Sequence, residues 1–152
     1  MKNKLKTALS AIKSGAPIEE ASRDVDWKDF EGLVAEILES KNFEVTRNFR
    51  MRKPTMEIDV VGIHLGVAVL IDCKHWKRMS NSALEKIVLW QIDRVKYYVA
   101  STDEVVAAPV IVTLYQEETK FVRKVTIVPI IQFSAFIDEF YGNLEEIKTI
   151  EK

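Results

Sequence analysis

The chain has a single cysteine, Cys73, in 152 residues, so no internal disulfide can staple it and its fold must rest on a packed core. Its five glycines and four prolines are scattered. No Pro-, Gly- or Ser-rich run is long enough to serve as a linker, and no internal repeat or low-complexity segment is present. Solenoids, repeat arrays and strings of tethered domains are thereby excluded. The N-terminal stretch "MKNKLKTALSAIKSG" lacks the uninterrupted apolar run of a secretory signal or a membrane span. The expected compartment is the cytoplasm, and no membrane is expected as a partner. Charge of one sign is missing as well: 22 Lys and Arg stand against 23 Asp and Glu, a net charge of −1. The molecule as a whole therefore does not advertise itself as a polyanion binder, and any nucleic-acid surface must be a local patch.

What is present suits one ordinary globular domain: 47% apolar and 30% charged residues. The expected organisation is a single domain over 1–152, with residues 1–25 a helical N-terminal appendage and 26–142 the core. In the appendage Leu5, Leu9 and Ile12 form a weak helical stripe closed by Ser14-Gly15, and Pro17 can open a second short helix. Asp26 can cap the next helix, in which Trp27, Phe30, Val34, Ile37 and Leu38 recur at spacings of three and four, ending near Lys41-Asn42. "FEVTRNFR" alternates as a strand and "MRKPT" breaks it. "EIDVVGI" and "VAVLIDCKHW", both rich in β-branched residues, read as a hairpin turning at Leu65-Gly66. Ser82 with Glu85 forms a capping box for a helix to about Ser101, striped by Leu84, Val88, Gln91, Val95 and Val99. "APVIVTLY" reads as a strand covered on both faces and "FVRKVTIVPIIQF" as a second β-rich run interrupted by Pro129. Ser134 is placed to cap a closing helix that stops at Gly142. The order α, α, β, β, β, α, β, β, α implies an α/β layered domain: a mixed central sheet flanked by helices, with a parallel crossover through the long helix.

The hairpin holds the unusual chemistry. Side chains alternate along a strand, so Asp72 and Lys74 share one face, as do Glu57 and Asp59 on the preceding strand. A two-residue turn at Leu65-Gly66 sets Asp59 opposite Asp72 and Glu57 opposite Lys74. Two carboxylates directly across from one another repel unless something positive lies between them. A Mg²⁺ ion, which takes carboxylate, carbonyl and water oxygens, answers that repulsion and would bring phosphoryl chemistry with it. A salt-bridged polar face on a solvent-exposed sheet edge would use the same residues, and spacing alone does not choose between the two.

Asp59, a turn, then Asp72-x-Lys74 resembles the signature of the PD-(D/E)xK nuclease superfamily. "FEGLVAEILESKNFEVTRN", "EIDVVG" and "VLIDCKHW" are most similar to Mrr-type restriction endonucleases and archaeal Holliday-junction resolvases. The resemblance runs from about Trp27 to Ile131 and implies a restriction-endonuclease-like αβββαβ core. It implies a Mg²⁺- or Mn²⁺-dependent endonuclease acting on DNA, in some branches as a homodimeric resolvase. Asp59 and Asp72 would be metal ligands together with the Cys73 backbone carbonyl, Lys74 the catalytic lysine, Glu31 an acid on the first core helix that helps bind or orient the metal, and Gln91 the glutamine on the helix after the motif. Ile58 replaces the proline that names the motif, and Asp72 stands where Glu is more usual.

Rival readings stand beside these. Glu31 also fits a solvated first-turn acid, and Gln91 a satisfied core amide. Cys73 reads as a small core residue, His64 and His75 as turn and edge residues, and Trp76 and Trp90 as core packing that could instead flank the site. Lys41, Arg47, Arg50, Arg52 and Lys53 oppose only Glu44 across residues 41–53. With Lys77 and Arg78 after the motif, they make candidate phosphate contacts; the alternatives are a solvated charged loop and a binding module without catalysis.

Overall fold

A computed structural model of the chain describes residues 27–75, 79–104, 106–114 and 118–152. The expected N-terminal appendage, the Asp26 cap, Trp76, Lys77 and Arg78 lie outside the described residues.

Helix α1 (Trp27–Ser40) turns Phe30, Leu33, Val34 and Leu38 into the core. Each such side chain contributes about 1.5–3 kcal/mol when fully buried. The helix ends where the sequence suggests: Asn42 adopts a φ of 70°, and the Phe43 and Asn42 N–H groups return to the Leu38 and Glu39 carbonyls, each at 3.1 Å. This paired closure satisfies two carbonyls at the helix end and sends Phe43 back into the same apolar cluster.

Strands β1 (Glu44–Arg52) and β2 (Thr55–His64) form a hairpin, so the expected break at "MRKPT" narrows to Lys53-Pro54. Strand β3 (Val67–Lys74) follows the turn at Leu65-Gly66, both with positive φ, in the anticipated register from His64↔Val67 to Val60↔Ile71. Helix α2 (Asn81–Ser101) crosses to β4 (Val106–Thr113), which pairs parallel to β3. Its N-cap is Ser80, whose Oγ accepts the Ala83 N–H at 3.2 Å, rather than Ser82. Glu85 accordingly does not complete a capping box; its carboxylate accepts from Arg123.

The next β-rich run is two strands, β5 (Lys120–Val122) and β6 (Val125–Pro129), folded about Arg123 and Lys124 with φ of 52° and 66°. Proline at the end of β6 passes the chain directly into α3 (Ile130–Asp138), so Ser134 lies inside that helix and caps nothing. A 3-10 turn (Tyr141–Asn143) and β7 (Ile150–Glu151) complete the chain. The mixed seven-stranded sheet has the order β1-β2-β3-β4-β6-β5, with β7 beside β4. Pro109 is tolerated within this central strand because β4 pairs with β7 at residues 106–107 and with β6 only from Val110 onward. Helices α1 and α3 cover one face of the sheet and α2 covers the other. The core order α1β1β2β3α2β4 is the αβββαβ order that the resemblance implies.

One irregularity positions everything that follows. On β2, Val60 packs with α1 and Val61 with α2, yet Ile58, which alternation would place with Val60, packs with α2. On β1, Val45 packs with α1 whereas Phe49 and Met51 pack with α2. Both strands therefore change faces at the same level, at Asn48 (φ 53°) and Asp59, which are also absent from the β1–β2 pairing. The β2–β3 ladder ends just above this level, at Val60↔Ile71, while β3 continues beside β4 to Lys74.

Candidate active site

The gap that opens between β2 and β3 is bridged by a side chain. Asp59 Oδ2 accepts the Cys73 main-chain N–H at 2.8 Å, so its carboxyl replaces the missing ladder bond and points at the end of β3. Asp72 and Lys74, flanking Cys73, lie on the opposite sheet face from its thiol, as strand alternation requires. Lys74 Nζ is 3.2 Å from Asp72 Oδ2, and Asp72 is buried. Glu57 does not join them: the change of face at Asp59 separates it from the site, and its carboxylate instead faces Arg50 at 3.2 Å across the β1–β2 hairpin.

Glu31 is 5% exposed, on the stripe of α1 that carries Val34 and Leu38, which overturns its reading as a solvated first-turn acid. Arg47 of β1 reaches to 3.9 Å from Glu31 Oε1. The Glu31 charge still reaches Asp59.

Gln91 is fully buried and its amide is satisfied at both ends. Nε2 donates to the Leu70 carbonyl of β3 at 2.9 Å, and Oε1 accepts from Arg94 at 3.0 Å. Arg94 in turn stands 3.9 Å from Asp72 Oδ2. Sequence reasoning singled out Gln91 and missed Arg94; the signal was its position three residues on, along the same helical face.

Burial pushes the Asp59 carboxyl up to about 7 from an ordinary 3.8. The Cys73 N–H opposes that shift, while Asp72, through its charge and as a hydrogen-bond partner of the protonated acid, and the Glu31 charge reinforce it. The same surroundings, burial foremost and then the three carboxylates, raise the Cys73 thiol well above its usual range, so it is an inert core group. Among the described residues no three His, Cys, Asp or Glu side chains are grouped to hold a metal by themselves.

The other anticipated residues divide. Trp90 is 55% exposed, so core packing does not account for it. His64 borders the β2–β3 turn, with its ring beside Phe43 and Tyr141, and His75 follows β3 with its ring 6.4 Å from Phe30. Arg47 and Arg50 turn onto acids, whereas Arg52 and Lys53 are exposed at the hairpin tip. That tip lies four residues from Asp59, about 13 Å along the strand.

Comparison with known proteins agrees with this architecture. The family model for the Mrr catalytic domain, described as restriction endonuclease, matches residues 22–111, more than half of the chain. The chain belongs to this family of restriction-endonuclease-like nucleases. No curated protein matches it. A similar crystal structure is that of AF1548, described as a protein of unknown function, at 26% identity and a TM-score of 0.42. The match covers 55% of this chain and 44% of that one, so this chain spans less than half of that protein's length. No helix among the described residues is long and apolar enough to cross a membrane.

Proposed function

We propose that the protein is a Mg²⁺- or Mn²⁺-dependent endonuclease that hydrolyses phosphodiester bonds in DNA at the gap between β2 and β3. The observation that carries this reading is the charge balance of the site. Asp72 is answered by Lys74 and Arg94, and Glu31 by Arg47. Asp59 has one main-chain N–H and, among the described residues, no cationic side chain.

That shortage suits a divalent ion. Asp59 and Asp72 would hold it with the Cys73 carbonyl and water, a donor set that Mg²⁺ accepts without a third side chain. Glu31 would bind through water or a second ion. When bound, the ion polarises a phosphoryl oxygen and lowers the pKa of a water. The residues of the chain do the rest. Lys74, 3.2 Å from Asp72, would donate to a non-bridging oxygen or orient the attacking water. Arg94, held by Gln91, supplies a second cation on the α2 side; Gln91 is a positioning residue.

The test is cleavage of linear, branched and single-stranded DNA with and without Mn²⁺ by the wild type, Asp59→Asn and Lys74→Ala. Metal-dependent cleavage that Asp59→Asn abolishes and Lys74→Ala lowers by roughly 100-fold or more is the expected result. Cleavage unchanged in both variants would eliminate the mechanism.

A further inference from the structure

Helix α2 carries Gln91 inward and Arg94 at the border of its packed face, and the adjoining row faces out. Lys86, Trp90 and Arg94 are spaced i, i+4, i+8, and Tyr97 lies three residues beyond Arg94 on the same side. Trp90 is 55% and Tyr97 45% exposed, an unusual display for two large rings on a helix whose inner face is fully packed. Arg94 ties this row to the site, since its guanidinium stands between Gln91 Oε1 and Asp72. Cation, ring and cation thus succeed one another at steps of about 6 Å along the helix axis, leading to the proposed reaction centre, with the exposed Asp93 beside Trp90 and Tyr97 on the outer edge of the row.

We propose that this row is a binding track for unpaired nucleotides: Trp90 stacks a base, Lys86 and Arg94 hold the flanking phosphates, and Tyr97 extends the platform. The proposal rests on the nuclease reading and names its substrate class, DNA with a single-stranded segment at the scissile bond. Alternation of rings with cations suits a strand that offers π-faces and negative charges in turn, whereas duplex DNA conceals its base faces. A second copy of the chain fits less well. A two-fold antiparallel pairing of α2 centred on Trp90 would set Lys86 of one copy against Arg94 of the other, and like charges in register oppose docking.

The test reads binding rather than cleavage, with no divalent metal present. Fluorescence anisotropy measures wild type, Trp90→Ala and Trp90→Phe on single-stranded oligothymidylate and on a duplex of equal length, with sedimentation of each protein alongside. Trp90→Ala should lose roughly 5- to 150-fold in affinity for the single strand and less than about twofold for the duplex, with Trp90→Phe close to wild type. Because Trp90 is exposed, unchanged thermal unfolding is expected of both variants. Equal losses on the two DNAs would overturn the track, as would no loss at all. A wild-type dimer that Trp90→Ala dissociates would also overturn it. A wild type that never cleaves with Mn²⁺ would refute the nuclease reading in a separate measurement and leave this affinity ratio decisive for the track.

Discussion

Glu31 answers to Arg47, and Asp72 to Lys74 and Arg94, which leaves Asp59 held by one main-chain N–H with two acids for neighbours. Its carboxyl titrates near 7 in the folded protein and near 3.8 in an ordinary setting. Between those values the native state keeps a proton that the unfolded chain has released, so stability is full below about pH 4 and is lost as pH rises through about 7. Asp59→Asn removes that penalty. It should unfold at a higher temperature than wild type at pH 8, by about 2–4 °C per kcal/mol recovered, and show no such advantage at pH 4. Thermal scans at the two pH values, without metal, check this; an advantage of equal size at both would contradict it. Lys74→Ala acts on chemistry instead. With Asp59 and Asp72 intact it should bind Mn²⁺ nearly as wild type while its cleavage rate falls by roughly 10²- to 10³-fold, measured under single turnover.

At the scale of elements, the close seating of α1 on β2 places Glu31 near Asp59. A tight point is Gly62, where an added Cβ would meet Leu38 Cδ1 at 3.0 Å, and Phe43 Cδ2 and Val69 Cγ1 at 3.2 Å. Gly62→Ala should cost about 1–3 kcal/mol in denaturant unfolding. Ser80→Ala should cost about 1 kcal/mol through the lost α2 cap without moving the site. The stripes of α1 and α2, the Leu65-Gly66 turn and the β2–β3 register were legible because period and turn chemistry are local. The break at Asp59 was not, since a strand that changes faces midway keeps its β-branched composition, and Glu57 was misplaced for that reason. The Arg123-Lys124 turn hid because neither residue is one that favours positive φ. Ser82 and Ser134 show the limit of capping signals: both were read as caps, and the helices begin elsewhere, α2 after Ser80 and α3 after Pro129.

At the scale of the whole molecule, the α/β class and the parallel crossover through α2 followed from element order, and β7 was too short to announce itself. Asp59, Asp72 and Lys74 were legible as a candidate group because strand period puts Asp72 with Lys74 and the tight turn returns β3 beside β2, but the contact of Asp59 with the Cys73 N–H depends on the break that the sequence did not reveal. Arg94 and the exposure of Trp90 depend on how α2 rolls against β3, which no local pattern specifies. With a net charge of −1, the proposed hold on DNA would rest on patches rather than on overall attraction. Replacing Arg52 and Lys53 by Ala should flatten the dependence of log affinity for duplex on log salt by between about one and two units, with the cleavage step itself unchanged. The most direct measurement is a calorimetric titration of Mn²⁺ into wild type and Asp59→Asn at pH 8. The account predicts saturable binding by the wild type that the substitution removes; equal binding by the two proteins, or none by the wild type, would contradict it.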